Sequence, residues 1–197
     1  MVLKGQFLER PTLIPVGSHV LDSVSHRGAR GPLLLVLPPR PEDGGGMDHV
    51  VGAELAFAVS AAGHPTLRFN YRGVGASQGK RGQGKALVED ARAALELARD
   101  NSPDGQVAVA SISGSVEVGL ALLEEPDVRG LFAISPTRFD PGDRRVSALA
   151  GEASVEPWLR AASAMLDQLT VVGGASHTFQ RGLPQVGKAV VEWLAKL

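Results

Sequence analysis

The stretch QVAVASISGSVEVGLALLEEP (residues 106–126) decides the fold of this chain. QVAVA is a short apolar run, typical of a buried β-strand, and SVEVGLALLEE has apolar residues at helical spacing before a terminating proline. The small residues SISGS join the two segments directly. Because a strand that passes straight into a helix is the repeating unit of a parallel sheet, the same alternation is expected along the rest of the chain.

Buried runs and amphipathic segments do alternate over most of the sequence. The remaining predicted strands are 32–37, 65–71, 128–135, 145–151 and 168–174, and the predicted helices are 47–63, 84–101, 156–166 and 183–197. Residues 12–26 alternate apolar and polar side chains around a Gly-Ser turn, which favours two half-exposed antiparallel strands. Right-handed crossovers then predict an α/β fold, doubly wound and mostly parallel with helices on both faces, in one domain over residues 1–197.

Composition excludes several classes of protein. A net charge of -1 argues against nucleic acid or an anionic membrane as a partner, and the lack of cysteine excludes disulfides and thiolate chemistry. Residues 1–17 lack the apolar core of a signal peptide, and no apolar run reaches the roughly 18 residues of a membrane helix. We therefore expect a cytoplasmic protein, and no motif implies a metal or an organic cofactor.

The segment SISGS has the spacing of a nucleophile elbow, a sharp strand-to-helix turn that projects a serine hydroxyl above the sheet. Ser113 would be the nucleophile, with small Ser111 and Ser115 where the usual G-x-S-x-G form has glycines. The amide of Gly114, at the start of the next helix, would face a developing oxyanion. Clusters of serine and glycine at such corners also commonly cap helices, so this stretch alone leaves both interpretations open.

The loop LPPRPEDGGGMDHVV (residues 37–51) lies between a predicted strand and a predicted helix. Its consecutive glycines allow close approach to a ligand, so Gly44 and Gly45 are predicted to contact substrate. Three prolines in the loop have no N–H, which makes the amide of Arg40 the predicted second oxyanion donor. The alternative is a flexible surface loop.

Arg72 lies in FNYRGVGASQGKRGQG (residues 69–84), whose glycine spacing is not that of the dinucleotide-binding fingerprint. Its position after a predicted strand places it near the carboxyl edge of the sheet, as a candidate for binding a substrate carboxylate. Ordinary salt bridging, by Arg72 or by Arg40 with nearby Glu42 and Asp43, is the alternative.

His177 follows the last predicted strand, in VVGGASHTF (residues 171–179). The other four histidines, at positions 19, 26, 49 and 64, lie outside that position. A serine, then an acid, then a histidine along an α/β sheet is the chain order of one class of serine hydrolases, so His177 is the candidate general base. A loop histidine that is merely solvated is the alternative.

Four segments together resemble a known family. RFNYRGVGASQG (68–79) nearly matches RFNFRGVGxSxG, PPRPEDGGGMD (38–48) matches HPHPxxGGxM, SISGS aligns with GxSxG, and GASHTF (174–179) aligns with GAxHFF. The chain thus resembles the α/β-hydrolase superfamily, specifically its small uncapped bacterial members related to dienelactone hydrolase. The likeness covers nearly the whole chain, places His177 at the catalytic histidine, and implies a fold without a cap domain.

The catalytic acid is where the chain departs from this family. GEASVEP (151–157) aligns with the family's GxxDxxVP, which leaves Ser154 at the position of the acid. Glu152 and Glu156 flank it, and Asp140 or Asp143 in the preceding loop is a further substitute. If none of them serves, a Ser–His dyad remains, and loss of the acid costs on the order of 10⁴ in turnover.

The sequence predicts an esterase-like serine hydrolase that acts on an ester, thioester or similar acyl bond of a small molecule. The short connection between strands 128–135 and 145–151 leaves no room for a lid, so an open, shallow site is expected. A non-catalytic α/β-hydrolase-fold module that binds a ligand or partner is the alternative, motivated by Ser154. A homodimer is a further expectation, with the helix of Trp193 packing against a second copy.

Overall fold

A computed structural model describes residues 8–142 and 145–197, and these residues form one mixed sheet flanked by helices. The strand order is β1-β2-β4-β3-β5-β6-β7-β8. The strands are β1 Arg10–Val16, β2 His19–His26, β3 Leu33–Leu37, β4 Thr66–Phe69, β5 Val107–Ile112, β6 Val128–Ile134, β7 Val146–Gly151 and β8 Gln168–Val172. β1 and β2 pair antiparallel at one edge, and β4, β3 and β5 to β8 run parallel. The predicted fold class is confirmed.

Helices cover both faces of this sheet because the central strands are apolar on both sides. They are α1 Val50–Ala61, α2 Lys85–Asn101, α3 Val116–Leu122, α4 Pro157–Ala161 and α5 Leu183–Leu194. Along β3, Leu33, Leu35 and Leu37 belong to the core beneath α2 and α3. Leu34 and Val36 belong to the opposite core, beneath α1 and α5. In the described part of the chain, no helix is both long enough and apolar enough to cross a membrane.

The register of the central strands brings five loops to one edge of the sheet. β5 lies between β3 and β6, with Leu37 opposite Ser111 and Ile112 opposite Ile134. At the next pair, Gly151 of β7 lies opposite Val172 of β8. The residues that follow these strands therefore meet above the carboxyl edge, where open α/β sheets bind their ligands.

Two side chains of the motif RFNYRGVG (68–75) form hydrogen bonds that fix the loop of residues 37–51. Arg68 Nη1 donates to the carbonyl of Met47 at 2.9 Å, and the Met47 amide donates to Asn70 Oδ1 at 2.8 Å. Both backbone polar groups of Met47 are thereby held by side chains from β4 and the residues that follow it. The best-matching segment of the sequence thus positions the start of α1.

Arg72 pairs with a buried carboxylate beneath the same segment. Asp90 of α2 is fully buried and accepts hydrogen bonds from the Arg72 amide at 2.9 Å and from its Nε at 2.8 Å. Exposed Glu89 pairs with the same guanidinium at 3.1 Å. These contacts attach the 69–84 loop to α2, so the guanidinium of Arg72 is satisfied within the fold.

The helix of Trp193 is not free to bind a second copy through that side chain. Trp193 is 2% exposed and packs against Phe132 of β6 at a ring-centroid distance of 5.2 Å. The apolar face of this amphipathic helix therefore packs on the sheet of its own chain, and the homodimer stays a prediction.

Asp90→Ala should destabilise the protein far more than Glu89→Ala, although both carboxylates pair with Arg72. Removing Asp90 breaks a buried ion pair and also leaves the Arg72 amide without its acceptor, which costs about 3–5 kcal/mol, whereas an exposed pair contributes about 0–1 kcal/mol. Urea denaturation of the two variants measures the difference in unfolding free energy. Equal losses would contradict a buried role for Asp90.

Candidate functional site

Ser113 lies on a strained turn between β5 and α3. Its φ of 55° lies in the left-handed region, although the residue is not glycine. It begins a 3₁₀ turn, Ser113–Ser115, that leads directly into α3. Such a conformation costs on the order of 1–2 kcal/mol and persists only where the surroundings enforce it. This is the backbone geometry of a nucleophile elbow.

The serines in place of the elbow glycines fit the turn without exposing their side chains. Ser111 and Ser115 are both fully buried. Ser115 Oγ donates to the carbonyl of Pro38 at 2.5 Å, and the hydroxyl of Tyr71 lies 3.5 Å from Ser115 Oγ. Burial raises the pKa of Tyr71 and keeps its phenol neutral. Ser115 thus ties the loop after β3 to the elbow, a contact that glycine does not make.

Ser113 and His177 line the same cleft, whose volume is about 390 Å³. The two residues are far apart in sequence, and the shared carboxyl edge of β5 and β8 brings them together. Other residues of its wall are Pro39, Asp43, Gly44, Gly45, His49, Val51, Ile112, Ile134, Ser135, Thr178 and Phe179. The cleft thus combines hydroxyls, two imidazoles, one carboxylate that pairs with Arg40, and apolar side chains, a set suited to binding an acyl group.

The loop of His177 is held by its backbone. Ser135 Oγ, which follows β6, donates to the His177 carbonyl at 3.1 Å, and Ser135 itself has a φ of 44°. The His177 side chain is exposed. Within residues 8–142 and 145–197, no carboxylate forms an ion pair or a hydrogen bond with its ring. Its imidazole therefore meets cleft and solvent rather than an orienting acid.

None of the predicted substitutes for the acid within the described residues bonds to the ring of His177. Glu152 Oε2 accepts from the Gly174 amide at 2.8 Å and so caps the turn before His177. Asp140 Oδ1 accepts from the Gly142 amide at 3.2 Å. Glu156 is exposed and lines a neighbouring cavity that His177 also borders. Glu152 and Asp140 are thus engaged with backbone amides, which corrects the expectation that they orient the imidazole; Asp143 lies outside the described residues.

Ser154, at the family's acid position, bonds locally. Its hydroxyl donates to the Gly151 carbonyl at 3.2 Å within a 3₁₀ turn, Glu152–Ser154. A hydroxyl at this distance from one backbone carbonyl supports the turn and brings no negative charge toward His177.

Arg40 covers the elbow with its side chain. A methyl group built on Gly114 would lie 2.3 Å from Arg40 Nε, so the guanidinium rests on that residue. Arg40 pairs with Asp43 at 3.1 Å and Glu42 at 3.3 Å, and the hydrogen bond that Arg40 Nε donates to Asp43 raises the pKa of Arg40. The predicted salt bridges of Arg40 are present, and its side chain packs the loop onto the elbow at Gly114.

Gly44 and Gly45 line the cleft, and Arg72 does not. Gly44 has a φ of 73°, and a methyl group on Gly45 would lie 2.1 Å from the Pro39 carbonyl, so both positions require glycine. The predicted substrate contact of Arg72 is corrected by its pairing with Asp90, which holds the guanidinium outside the cleft.

His49 is the cleft residue that sequence reasoning missed. It precedes α1, lines the cleft, and its buried Nδ1 has no hydrogen-bond partner among the described residues. Burial lowers the pKa of His49, and the nearby His177 lowers it further. A neutral imidazole therefore faces the cleft. The sequence feature that could have identified His49 is its position in loop 37–51, shortly after the consecutive glycines.

The chain is similar to proteins of one family along most of its length. A family model described as serine aminopeptidase, S33, matches residues 43–185. An uncharacterised protein of Rickettsia prowazekii is 29% identical over 186 residues, which cover 83% of this chain and 78% of that protein.

Solved structures show the same fold without a lid. An α/β serine hydrolase homologue from Coxiella burnetii superposes with a TM-score of 0.81 at 24% identity, covering 94% of this chain and 97% of that one. A Xanthomonas campestris protein, described as a member of the α/β serine hydrolases without lid, has a TM-score of 0.77 at 25% identity and 98% coverage of both chains. The expectation of an uncapped fold is confirmed.

Ser113→Gly should relieve the strain at the elbow. Relief of the strain should raise the unfolding free energy by about 1–2 kcal/mol. This increase equals or exceeds the roughly 0.5–1 kcal/mol that the flexibility of glycine costs in the unfolded chain. The unfolding free energy should therefore be unchanged or higher, as measured by urea denaturation. Ser163→Gly, at an exposed helical position, is the control and should lose stability. A loss at Ser113 equal to that at Ser163 would refute the strain.

His49→Gln should make the protein less sensitive to acid. Because the folded pKa of His49 lies below its ordinary 6.5, the unfolded chain takes up the proton first as pH falls. The contribution of His49 to stability is complete above about pH 6.5 and is lost as pH falls through the lowered pKa. Between about pH 7.5 and about pH 5.5, the unfolding free energy of the variant should fall less than that of the wild type. Parallel curves would contradict this.

Proposed function

Because this chain belongs to the serine aminopeptidase S33 family of α/β hydrolases, we propose that it is a serine hydrolase that cleaves an ester, thioester or similar acyl bond. The observation that carries this proposal is that a strained Ser113 and His177 line one cleft. A serine on such a turn has its hydroxyl free of the helix that follows, and a histidine in the same cleft is available to take its proton.

In the proposed reaction, Ser113 Oγ attacks the carbonyl carbon of the substrate while His177 accepts the hydroxyl proton. The bond from the acyl carbon to the leaving group then breaks, and His177 returns its proton to the leaving alcohol or thiol. Water attacks the acyl-enzyme in the second half, again with His177 as base, and releases the acid and free Ser113.

The oxyanion formed in each half needs hydrogen-bond donors in the cleft. The amides of Gly114 and Arg40 are our proposed donors, since these residues lie in contact on either side of the elbow. The Ser115–Pro38 bond holds the two segments at a fixed separation. Preorganised donors of this kind are worth about 10²–10³ in turnover each.

Esters and thioesters fit this site better than peptides do. No carboxylate of the described residues orients His177, and losing that function costs on the order of 10⁴ in turnover. An amine leaves only after it is protonated, so cleavage of an amide depends most on a well-oriented imidazolium. Alcohol and thiol leaving groups depend less on protonation by the imidazolium, so a Ser–His dyad without an acid can still expel them.

A non-catalytic role is the second candidate, and the unpartnered ring of His177 favours it. In that case the cleft would bind a small ligand without cleaving it. Turnover that depends on both Ser113 and His177 would exclude this candidate.

Labelling with a fluorophosphonate probe tests the proposed nucleophile. The wild type should be labelled at Ser113, and Ser113→Ala should abolish the adduct in intact-mass spectrometry. His177→Ala should slow labelling, by about 10²-fold or more, because the serine loses its base. Ser176→Ala, which removes an exposed hydroxyl beside His177, is the matched control and should label normally. Labelling that survives Ser113→Ala would overturn the assignment.

A further inference from the structure

The cleft is bordered by two further cavities along the carboxyl edge of the sheet. A cavity of about 460 Å³ shares Ser135 and His177 with the cleft. A second, of about 620 Å³, shares Arg138 and Trp158 with the first. We call these two cavities together the Trp158 trench. The short connection between β6 and β7 predicted a shallow site. The structure instead shows cavities that extend the site past His177 toward Trp158.

Aromatic and apolar side chains form the walls of the Trp158 trench. Trp158, at the start of α4, lines both cavities and packs edge-to-face against Phe139 with ring centroids 5.5 Å apart. Both rings are only partly buried, and Met165 at the far end is 48% exposed. A half-exposed indole that is already fixed by a neighbouring ring offers a rigid face for stacking another ring.

The charges around the Trp158 trench do not select an ion. Arg138 lies where the two cavities meet, Glu156 lies in the first, and Asp140 lies in the second. All three are exposed and carry charges of both signs. An anionic or cationic ligand would meet a like charge as well as an opposite one, so a neutral aromatic group suits the trench best.

The need for His177 to protonate the leaving group determines which part of a substrate lies in the Trp158 trench. The leaving group must receive its proton from His177, whereas the acyl carbon must reach Ser113. His177 borders both the cleft and the trench, but Ser113 lines the cleft alone. The acyl part therefore occupies the cleft, and the departing part extends past His177 toward Trp158.

We propose that the Trp158 trench is the leaving-group subsite and that it selects esters or thioesters whose departing group carries a neutral aromatic ring. This inference rests on the proposed serine hydrolase function. Trp158 acts as a specificity residue that holds the ring, while the cleft accommodates a compact acyl group.

Kinetics with two acetyl esters test the assignment. Trp158→Ala should lower kcat/KM for 4-nitrobenzyl acetate by about tenfold, because stacking and burial of the ring are lost. It should leave kcat/KM for methyl acetate unchanged. Both esters form the same acetyl-enzyme, so the rate of its hydrolysis should not respond to the variant. Trp158→Phe, which keeps an aromatic face, should retain most of the activity and guards against a folding defect.

Binding of 4-nitrobenzyl alcohol to Ser113→Ala tests the trench independently of turnover. This nitroaromatic should quench the fluorescence of the partly exposed Trp158, and Trp158→Phe in the same background should abolish the quenching, since Trp193 is buried. Absence of quenching, or an equal loss of kcat/KM for both esters in Trp158→Ala, would overturn the subsite. Quenching together with no ester turnover by the wild type would instead overturn the proposed hydrolase function.

Discussion

The site depends on one strained residue, Ser113, whose backbone adopts a conformation that serine avoids. The strain is enforced from both sides: β5 is paired with β3 and with β6 up to the turn, and α3 begins three residues later. The hydrogen bond from Ser115 Oγ to the Pro38 carbonyl also ties this turn to the loop that follows β3. Because the neighbouring strands cannot yield without breaking the centre of the sheet, the serine hydroxyl is held above its edge.

The electrostatics around this hydroxyl are those of a nearly neutral site. Two imidazoles, those of His49 and His177, face one cleft, and burial keeps the first uncharged. Glu42 and Asp43 are paired with Arg40, and Glu152 accepts a hydrogen bond from a backbone amide. A neutral second imidazole leaves room for His177 to become positive during proton transfer, since two adjacent cations would repel each other.

Departures from the family pattern have different physical meanings. Of the two elbow serines, Ser115 makes a useful contact, whereas Ser111 Oγ is buried with no hydrogen-bond partner among the described residues. The serine at the acid position bonds only to a local carbonyl and replaces no charge. A motif comparison counts these departures equally, whereas the contacts of each serine distinguish them.

Most of the secondary structure could be predicted, because continuous apolar runs and helical periodicity depend on local sequence. The long-range contacts could not be predicted. The sequence left Arg72 open between a substrate contact and a salt bridge, because its partner Asp90 lies on a helix whose packing no spacing rule reveals. His49 was passed over because only the fold brings the start of α1 against the loop of His177.

The sequence by itself determined the fold class, the turn at Ser113 and the absence of an acid at position 154, since each follows from the type and order of neighbouring residues. The tertiary structure alone decided that Ser113 and His177 share a cleft, that the nearby carboxylates serve other contacts, and that a trench extends past His177 to Trp158. These features depend on which strands lie side by side and how loops from distant parts of the chain pack, and such relations are not encoded in local periodicity.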